Sequence, residues 1–220
     1  MLARMEADRI ATLLEPFLGG TPLPTGLVVQ LQTYLDLLLR WNVRMNLTAV
    51  RDPEQIVTRH FGESLFAARV LRDAGALSST SGFSPSLADI GAGAGFPGVP
   101  IKLAAPEVGL TLIESQNKKA TFLREVIRSL GVEGAEVFCG RAEDWKQTAN
   151  LVTLRAVERF ERALPIAASL VAEGGFLCLL LGAEQAQSVQ PVLGTGWRLS
   201  PTAPIPESKG RIVLMAWCRS

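Results

Sequence analysis

The stretch that most constrains this chain is LADIGAGAGFPGVPIKLA, residues 87–104. Gly91, Gly93 and Gly95 alternate with alanines directly after the short apolar run LADI. Glycine permits positive φ and close approach of the main chain, so this loop suits a ligand pressed against its backbone. A helix is expected over 97–105, opening at Pro97. A strand, a glycine-rich turn and a helix at the front of a parallel sheet bind nucleotide-like ligands beyond the strand ends. The spacing excludes two of these. A dinucleotide loop reads G-x-G-x-x-G, and counting from Gly91 puts Phe96 in the third slot. A P-loop needs G-K-[ST], which occurs nowhere in the chain. Asp89, just before the turn, would repel a pyrophosphate and suits a cationic or hydroxyl-bearing ligand. S-adenosylmethionine carries a sulfonium, an ammonium and ribose hydroxyls, and no phosphate.

The next strand supports that cofactor. GLTLIES places Glu114 23 residues after Gly91. An acid at the end of the second strand accepts hydrogen bonds from ribose hydroxyls. CGRAEDW, residues 139–145, follows the third strand and belongs to the same sheet edge. There, Glu143 or Asp144 could receive the adenine amino group, or a backbone N–H could bind a ring nitrogen.

Beyond residue 77, strands are expected at 87–90, 109–114, 135–138, 150–154, 174–181, 196–200 and 210–218. Helices are expected at 97–105, 116–130, 160–172 and 183–193. This alternation predicts an α/β fold with a mainly parallel sheet and an antiparallel pair at one edge. Residues 1–76 read as a helical N-terminal extension that caps the substrate side without being an independent domain. Its helices are expected at ADRIATLLEPFL, at 25–42 with Thr25 as N-cap, and at 52–71 with Asp52 as N-cap and Pro53 in the first turn. Residues 77–86, LSSTSGFSPS, read as a loop before the second part, 77–220.

Composition narrows the class. The chain is 48% hydrophobic and 20% charged with a formal net charge of +1, which describes a globular protein whose basic surface must be local. Cys139, Cys178 and Cys218 form no C-x-x-C and sit in apolar runs, so buried thiols are expected and no metal site. The charged start MLARMEADRI has no apolar core of a secretory leader, and the most apolar window, 174–183, is about half of a membrane span. A cytoplasmic protein with no membrane partner is expected.

Five segments now come in one order: RWNVRMNLTAVRDPEQIVTRHFGESL (40–65), DIGAGAGFPGVPIKLAAPEVGLTLIES (89–115), KKATFLREV (118–126), GRAED (140–144) and LRAV (154–157). Over about residues 30–182 the chain resembles the bacterial small-subunit rRNA guanine-N7 methyltransferases, the glucose-inhibited division protein B family. The resemblance implies a class I methyltransferase fold with a seven-stranded, Rossmann-like sheet. It also implies S-adenosylmethionine as methyl donor and 16S ribosomal RNA of the small subunit as partner. A monomer is expected. By matching position it places cofactor contacts on Gly91, Phe96, Ala142, Glu143 and Arg155. Two departures stand out. Family members usually read H-x-x-D-S-L where this chain has His60, Glu63, Ser64 and Leu65, and they often carry Ser where Leu154 stands.

The residues permit this chemistry. Methyl transfer from a sulfonium is an in-line displacement that needs alignment above all. Guanine N7 offers a lone pair and carries no proton, so no catalytic base is expected, and His60 and Arg155 are positioning candidates. The chain has no N-P-P-[YF] motif and no Pro-Cys nucleophile. Candidate cofactor residues are thus Asp89, Gly91, Gly93, Gly95, Phe96, Glu114, Ala142, Glu143 and Arg155.

RNA contacts are expected from Arg44, Asn46, Arg59, His60, Lys118, Arg124, Arg128 and Arg159. These belong to three cationic groups. The first holds Arg40, Arg44, Arg51, Arg59, Arg69 and Arg72, interleaved with Trp41. The second holds Lys118, Lys119, Arg124 and Arg128, and the third Arg155, Arg159 and Arg162. Several side chains of the first and third groups are expected around the mouth of the cofactor site. Two rival readings are a small-molecule methyltransferase, disfavoured by the Arg-rich extension, and an RNA-binding assembly factor without turnover, disfavoured by the retained glycine loop.

Overall fold

A computed structural model describes residues 4–78, 84–155 and 160–218. The chain opens with helices α1 (Ala7–Leu18) and α2 (Thr25–Met45). Helix α2 starts one residue earlier than the Thr25 cap predicts. Pro24 takes the extended N-cap conformation, its carbonyl receives Leu27 and Val28, and Thr25 is already helical. The helix also runs past residue 42 and ends at Asn46, whose φ of 48° is a left-handed cap that Asn tolerates.

Asp52 caps α3 (Pro53–Ile56), its Oδ1 accepting from the Gln55 N–H at 2.8 Å. The single helix expected over 52–71 is instead interrupted. Val57–Gly62 form a π turn before α4 (Glu63–Asp73). Gly62 is where this helix crosses α1: a Cβ there would lie 2.6 Å from the Phe17 ring.

Strands β1 (Ser86–Ile90), β2 (Gly109–Glu114), β3 (Ala135–Cys139), β4 (Ala149–Arg155) and β5 (Val171–Gly182) pair in parallel. They are linked by α5 (Gly98–Ala104), α6 (Asn117–Leu130) and α7 (Phe160–Ser169). After α8 (Ala186–Leu193) come β6 (Trp197–Leu199), β7 (Ala203–Pro204) and β8 (Arg211–Cys218). The order is β3-β2-β1-β4-β5-β8-β6, with β8 antiparallel to both its neighbours. Seven strands form this path as expected. The two-residue β7, which pairs only with β8, was not anticipated.

Strand β5 begins earlier than expected, and its register against β4 shifts between Ala149 and Leu151. Gly175 makes the shift possible, because a Cβ there would sit 2.7 Å from the Asn150 carbonyl. Of the 77–86 loop, residues 79–83 lie outside the described residues.

Alternation along the strands divides the interior in two. Leu87, Leu151, Cys178, Leu180 and Met215 face one core, shared with α1, α2, α4, α5 and α6. Ala88, Val152, Leu154, Leu179 and Leu214 face the other, under α7 and α8. The N-terminal helices therefore cover a sheet face and share its core. Cys178 is wholly buried as expected, and burial pushes its thiol up to about 12. Cys139 is only half-buried because β3 is an edge strand. The side chain of Cys218 lies outside the described residues.

Candidate active site

The glycine loop leaves β1 at the carboxyl edge of the sheet. Gly91, Gly93 and Gly95 have φ of 64°, 56° and 90°, a region L-residues avoid. The loop is pinned by hydrogen bonds from several elements. The Ala92 N–H donates to the Ile113 carbonyl, the Gly93 N–H to Glu114 Oε2 at 3.0 Å, and the Tyr34 hydroxyl to the Ala94 carbonyl. The three glycines differ in what they face. A Cβ on Gly91 would meet open space, and one on Gly93 only the Gly91 carbonyl at 3.6 Å. A Cβ on Gly95 would collide with the Tyr34 hydroxyl and press on Val99 at 3.0 Å. Gly91 and Gly93 are thus small toward solvent, and Gly95 is small for packing.

Asp89 is fully buried. Its Oδ2 accepts from the Gly98 N–H at 3.0 Å and its Oδ1 from the Thr153 hydroxyl at 2.8 Å. Burial raises its carboxyl to about 6, against the pull of those two bonds. Gly98 is required directly above it, since a Cβ there would lie 2.7 Å from Oδ2.

Beside Gly91 opens a cleft of about 430 Å³. Ile90, Ile113, Ala163 and Ile166 give it apolar walls, and Gly140, Ala142 and the exposed Glu143 form its rim. This is the size and character of a small-molecule site. Glu114 ends β2 next to it, with Oε1 accepting from the Gln116 N–H at 2.8 Å. Each carboxylate oxygen has a second lone pair, so two loop amides orient the group and leave it able to accept from a ligand hydroxyl. The cleft therefore fits an adenosine: flat apolar walls for a base, an oriented acid for ribose, and an open backbone at Gly91.

On the other side of the loop lies a closed cluster. Phe96 stacks on Tyr34 at 5.3 Å and on the His60 ring at 4.8 Å between centroids. The Arg155 guanidinium ends β4 at 5.9 Å from the Phe96 ring centre. Its Nη2 donates to Glu63 Oε2 at 2.9 Å, to His60 Nδ1 at 3.2 Å and to the Arg59 carbonyl. The π turn supplies that last acceptor: the Glu63 N–H bonds the Thr58 and His60 carbonyls instead of that of Arg59. Glu63, with its side chain 3% exposed, also meets Arg211 at 2.6 Å. Burial pushes the Glu63 carboxyl up, and the two arginines pull it back.

His60 is set in one tautomer. Arg155 has no acceptor, so Nδ1 must accept and Nε2 must carry the proton. Nε2–H then donates to the Thr48 hydroxyl at 2.8 Å. Burial first, and the Arg155 charge second, lower this imidazole to about 3, so it is neutral at physiological pH.

The family model for rRNA small subunit methyltransferase G matches residues 28–191. This chain belongs to the rRNA small subunit methyltransferase G family. Two curated relatives bear that enzyme's name. The one from Stenotrophomonas maltophilia (strain R551-3) is 35% identical over 198 residues, covering 89% of this chain and 88% of the relative. That from Xanthomonas campestris pv. campestris (strain B100) is 35% identical over 190 residues, covering 86% and 84%. The solved ribosomal protein L11 methylase from Lactobacillus delbrueckii subsp. bulgaricus shares the fold at a TM-score of 0.58 with 14% identity, over 72% of this chain and 80% of that one. The architecture is that of the class I methyltransferases, as the resemblance implied.

Within this member of the family, Gly91, Ala142 and Glu143 line the cleft, and Gly93 and Glu114 adjoin it. Four expected cofactor residues do not face it. Asp89 is sealed beneath α5, where its hydrogen bonds hold Gly98 and Thr153. Gly95 serves the contact with Tyr34, and the Phe96 ring is 8% exposed inside the aromatic cluster. Arg155 stands in the cluster and is absent from the cleft lining.

Of the expected RNA residues, Arg44, Asn46, Arg59, Lys118, Arg124 and Arg128 are exposed. Arg159 lies outside the described residues, and His60 is held inside the cluster. Two of the cations stand away from the mouth. Helix α6 leaves the carboxyl edge, so Arg128, eleven residues beyond Asn117, stands about 16 Å along its axis. Arg72 donates to the Ala104 carbonyl at the end of α5, at the opposite edge of the sheet. Sequence reading missed Tyr34, Thr48, Gly98, Thr153 and Arg211. Gly98 and its proline could have been found as the start of α5, but Arg211 carries no local signal.

Proposed function

We propose that this chain transfers a methyl group from S-adenosylmethionine to N7 of a guanine in the 16S RNA of the small ribosomal subunit. The observation that carries the N7 assignment is the state of His60, the only histidine. Both its nitrogens are engaged and burial lowers its basicity to about 3, so it is unsuited to taking up a proton. N7 requires no base, whereas an exocyclic amine or a hydroxyl has a proton to lose.

When bound, S-adenosylmethionine supplies an activated methyl on a sulfonium. The chain's own residues do the rest. Glu114 accepts from the ribose hydroxyls, and the walls around Gly91 and Ala142 enclose the base. Arg155, clamped by Glu63, Arg59 and His60, holds the edge where the guanine must enter. Methylation leaves a positive charge on the base, so an arginine that touches the guanine must do so away from N7. The N-terminal helices act as an extension of the methyltransferase domain. Among the described residues no helix is long and apolar enough to cross a membrane, and no group of three His, Cys, Asp or Glu could hold a metal. The enzyme is read as a cytoplasmic monomer acting on the small subunit or its RNA.

The test is transfer of a labelled methyl group to naked small-subunit rRNA, to whole small subunits and to metabolite extracts. The expected product is one labelled guanine whose N7 methylation is revealed by chemical strand scission. Label on a metabolite alone, or on a ring position that resists scission, would overturn the reading.

A further inference from the structure

The C-terminal half of α2 carries a second concavity, separate from the cleft. It measures about 570 Å³ and lies between α2 and α6. Trp41, Val43 and Met45 give it an apolar lining, and Arg40 and Arg44 flank it one helical turn apart. The Trp41 indole is fixed in place: its Nε1–H donates to Glu125 Oε2 at 3.1 Å, and its ring meets Phe122 edge-on at 5.6 Å. Val43 is 79% exposed, so its apolar surface is open to a ligand. Both arginines are exposed and form no ion pair among the described residues. Glu125, the one acid of the lining, is occupied by the indole.

The groove connects to the catalytic edge through direct contacts. Helix α2 ends at Asn46, whose side-chain oxygen accepts from Arg51 at 2.5 Å. Thr48 in the same loop holds His60, and His60 holds Arg155. Arg44, Arg51 and Arg59 are exposed along this path.

We infer that this groove is a subsite for an unpaired nucleotide of the rRNA substrate, flanking the target guanine, and the inference rests on the function proposed above. A base seats against Trp41, Val43 and Met45, and its two phosphates meet Arg40 and Arg44. Fixed aromatic rings between arginines are how single-stranded RNA is held with little sequence reading. A protein partner is the poorer fit. Protein interfaces bury a broad apolar centre. Here the exposed large hydrophobic side chains among the described residues are Val43 and Val29, and Val29 is not part of the groove lining.

The experiment uses the full chain, naked small-subunit rRNA and S-adenosylmethionine. Val43→Glu puts an acid into the groove at a position open to solvent, and Val29→Glu adds the same charge elsewhere on α2. We expect Val43→Glu to raise the KM for rRNA at least tenfold, with S-adenosylmethionine affinity unchanged by calorimetry, and Val29→Glu to match the parent. Arg44→Glu should flatten the salt dependence of RNA binding by about one unit of slope or more. p-Benzoylphenylalanine at position 43 should photocrosslink to rRNA. If Val43→Glu keeps the parental KM while the parent methylates rRNA, the subsite is wrong and the function stands. A crosslink in whole subunits that goes only to a ribosomal protein also overturns the subsite. If the parent methylates no small-subunit rRNA at all, the proposed function fails, and the subsite with it.

Discussion

The two sides of the glycine loop are built on opposite plans. The cleft side is open and made largely of backbone and small residues: Gly91, Gly140, Ala142 and the ends of β1 and β2. The other side is closed and made of side chains: Phe96, His60, Arg155, Glu63 and Arg211. Ligand contacts to backbone and small residues leave room for a bulky cofactor. Side-chain networks in low dielectric instead hold one geometry, and lose it when a member is removed. The loop between them is coupled to both, through Glu114 on one side and Tyr34 on the other.

Breaking the closed side should have the largest effect. Arg155→Ala leaves Glu63 with only Arg211, deep in the protein. We expect about 3 kcal/mol of lost stability by denaturant unfolding, the low end for a broken buried pair because one cation remains. Methyl transfer should fall at least a hundredfold. Arg155→Lys should not restore it, because the lysine side chain ends one bond short of the Nη2 atom that reaches Glu63, His60 and the Arg59 carbonyl together.

Two glycines sharpen the contrast directly. Gly93→Val should raise the dissociation constant for S-adenosylmethionine at least tenfold, at a stability cost of about 1–2 kcal/mol for the left-handed backbone. Gly95→Ala should do the reverse, losing stability while the folded protein keeps its cofactor affinity. Adding Tyr34→Phe to Gly95→Ala should recover part of the loss by removing the hydroxyl that the new Cβ meets. Equal loss of affinity in both single variants would erase the distinction drawn between them.

Two buried groups give the closed side and the loop opposite pH signatures. His60 is lowered from 6.5 to about 3, so the unfolded chain binds its proton first and stability falls as pH drops from 6.5 toward 3. Asp89 is raised from 3.8 to about 6, so the folded chain binds its proton first and stability grows as pH drops from 6 to 3.8. Between pH 4 and 6 these two cancel. His60→Asn should remove one contribution, shifting the slope of unfolding free energy against pH by about 1.4 kcal/mol per unit in that window. Unfolding titrations of the parent and variant that stay parallel would refute it. The rate profile of the parent should show no group near 6.5 that vanishes in His60→Asn.

The smallest effect lies far from either side. Asp52→Ala should cost about 1 kcal/mol through the lost helix cap, with cofactor affinity untouched.

Much of this was legible in the sequence, and the reasons are local. Strand positions from 87 to 154, the glycine loop, the acid at Glu114 and the cap at Asp52 all follow from spacing within a few turns of chain. The π turn at Val57–Gly62 was not legible, since its residues also suit an α-helix; the crossing of α1 at Gly62 and the pull of Arg155 on the Arg59 carbonyl accompany it. Asp89 was read as a ligand carboxylate because it precedes the glycines. Its burial depends on Gly98 and Thr153, which only the sheet and α5 bring above and beside it.

The sequence by itself determined the order of elements, the parallel sheet, the family and the main-chain shape of the cofactor loop. Each is dictated by periodicity, by φ preferences or by short motifs, which act between residues close along the chain. Tertiary structure alone decided that Glu63, Arg155 and Arg211 share one buried site, that Gly95 answers to Tyr34 and not to a ligand, and that Arg72 and Arg128 fall away from the mouth. Periodicity fixes which face a side chain occupies. Which partner it meets depends on how far each helix runs and where each strand is placed in the sheet, and those are settled only when the whole core packs.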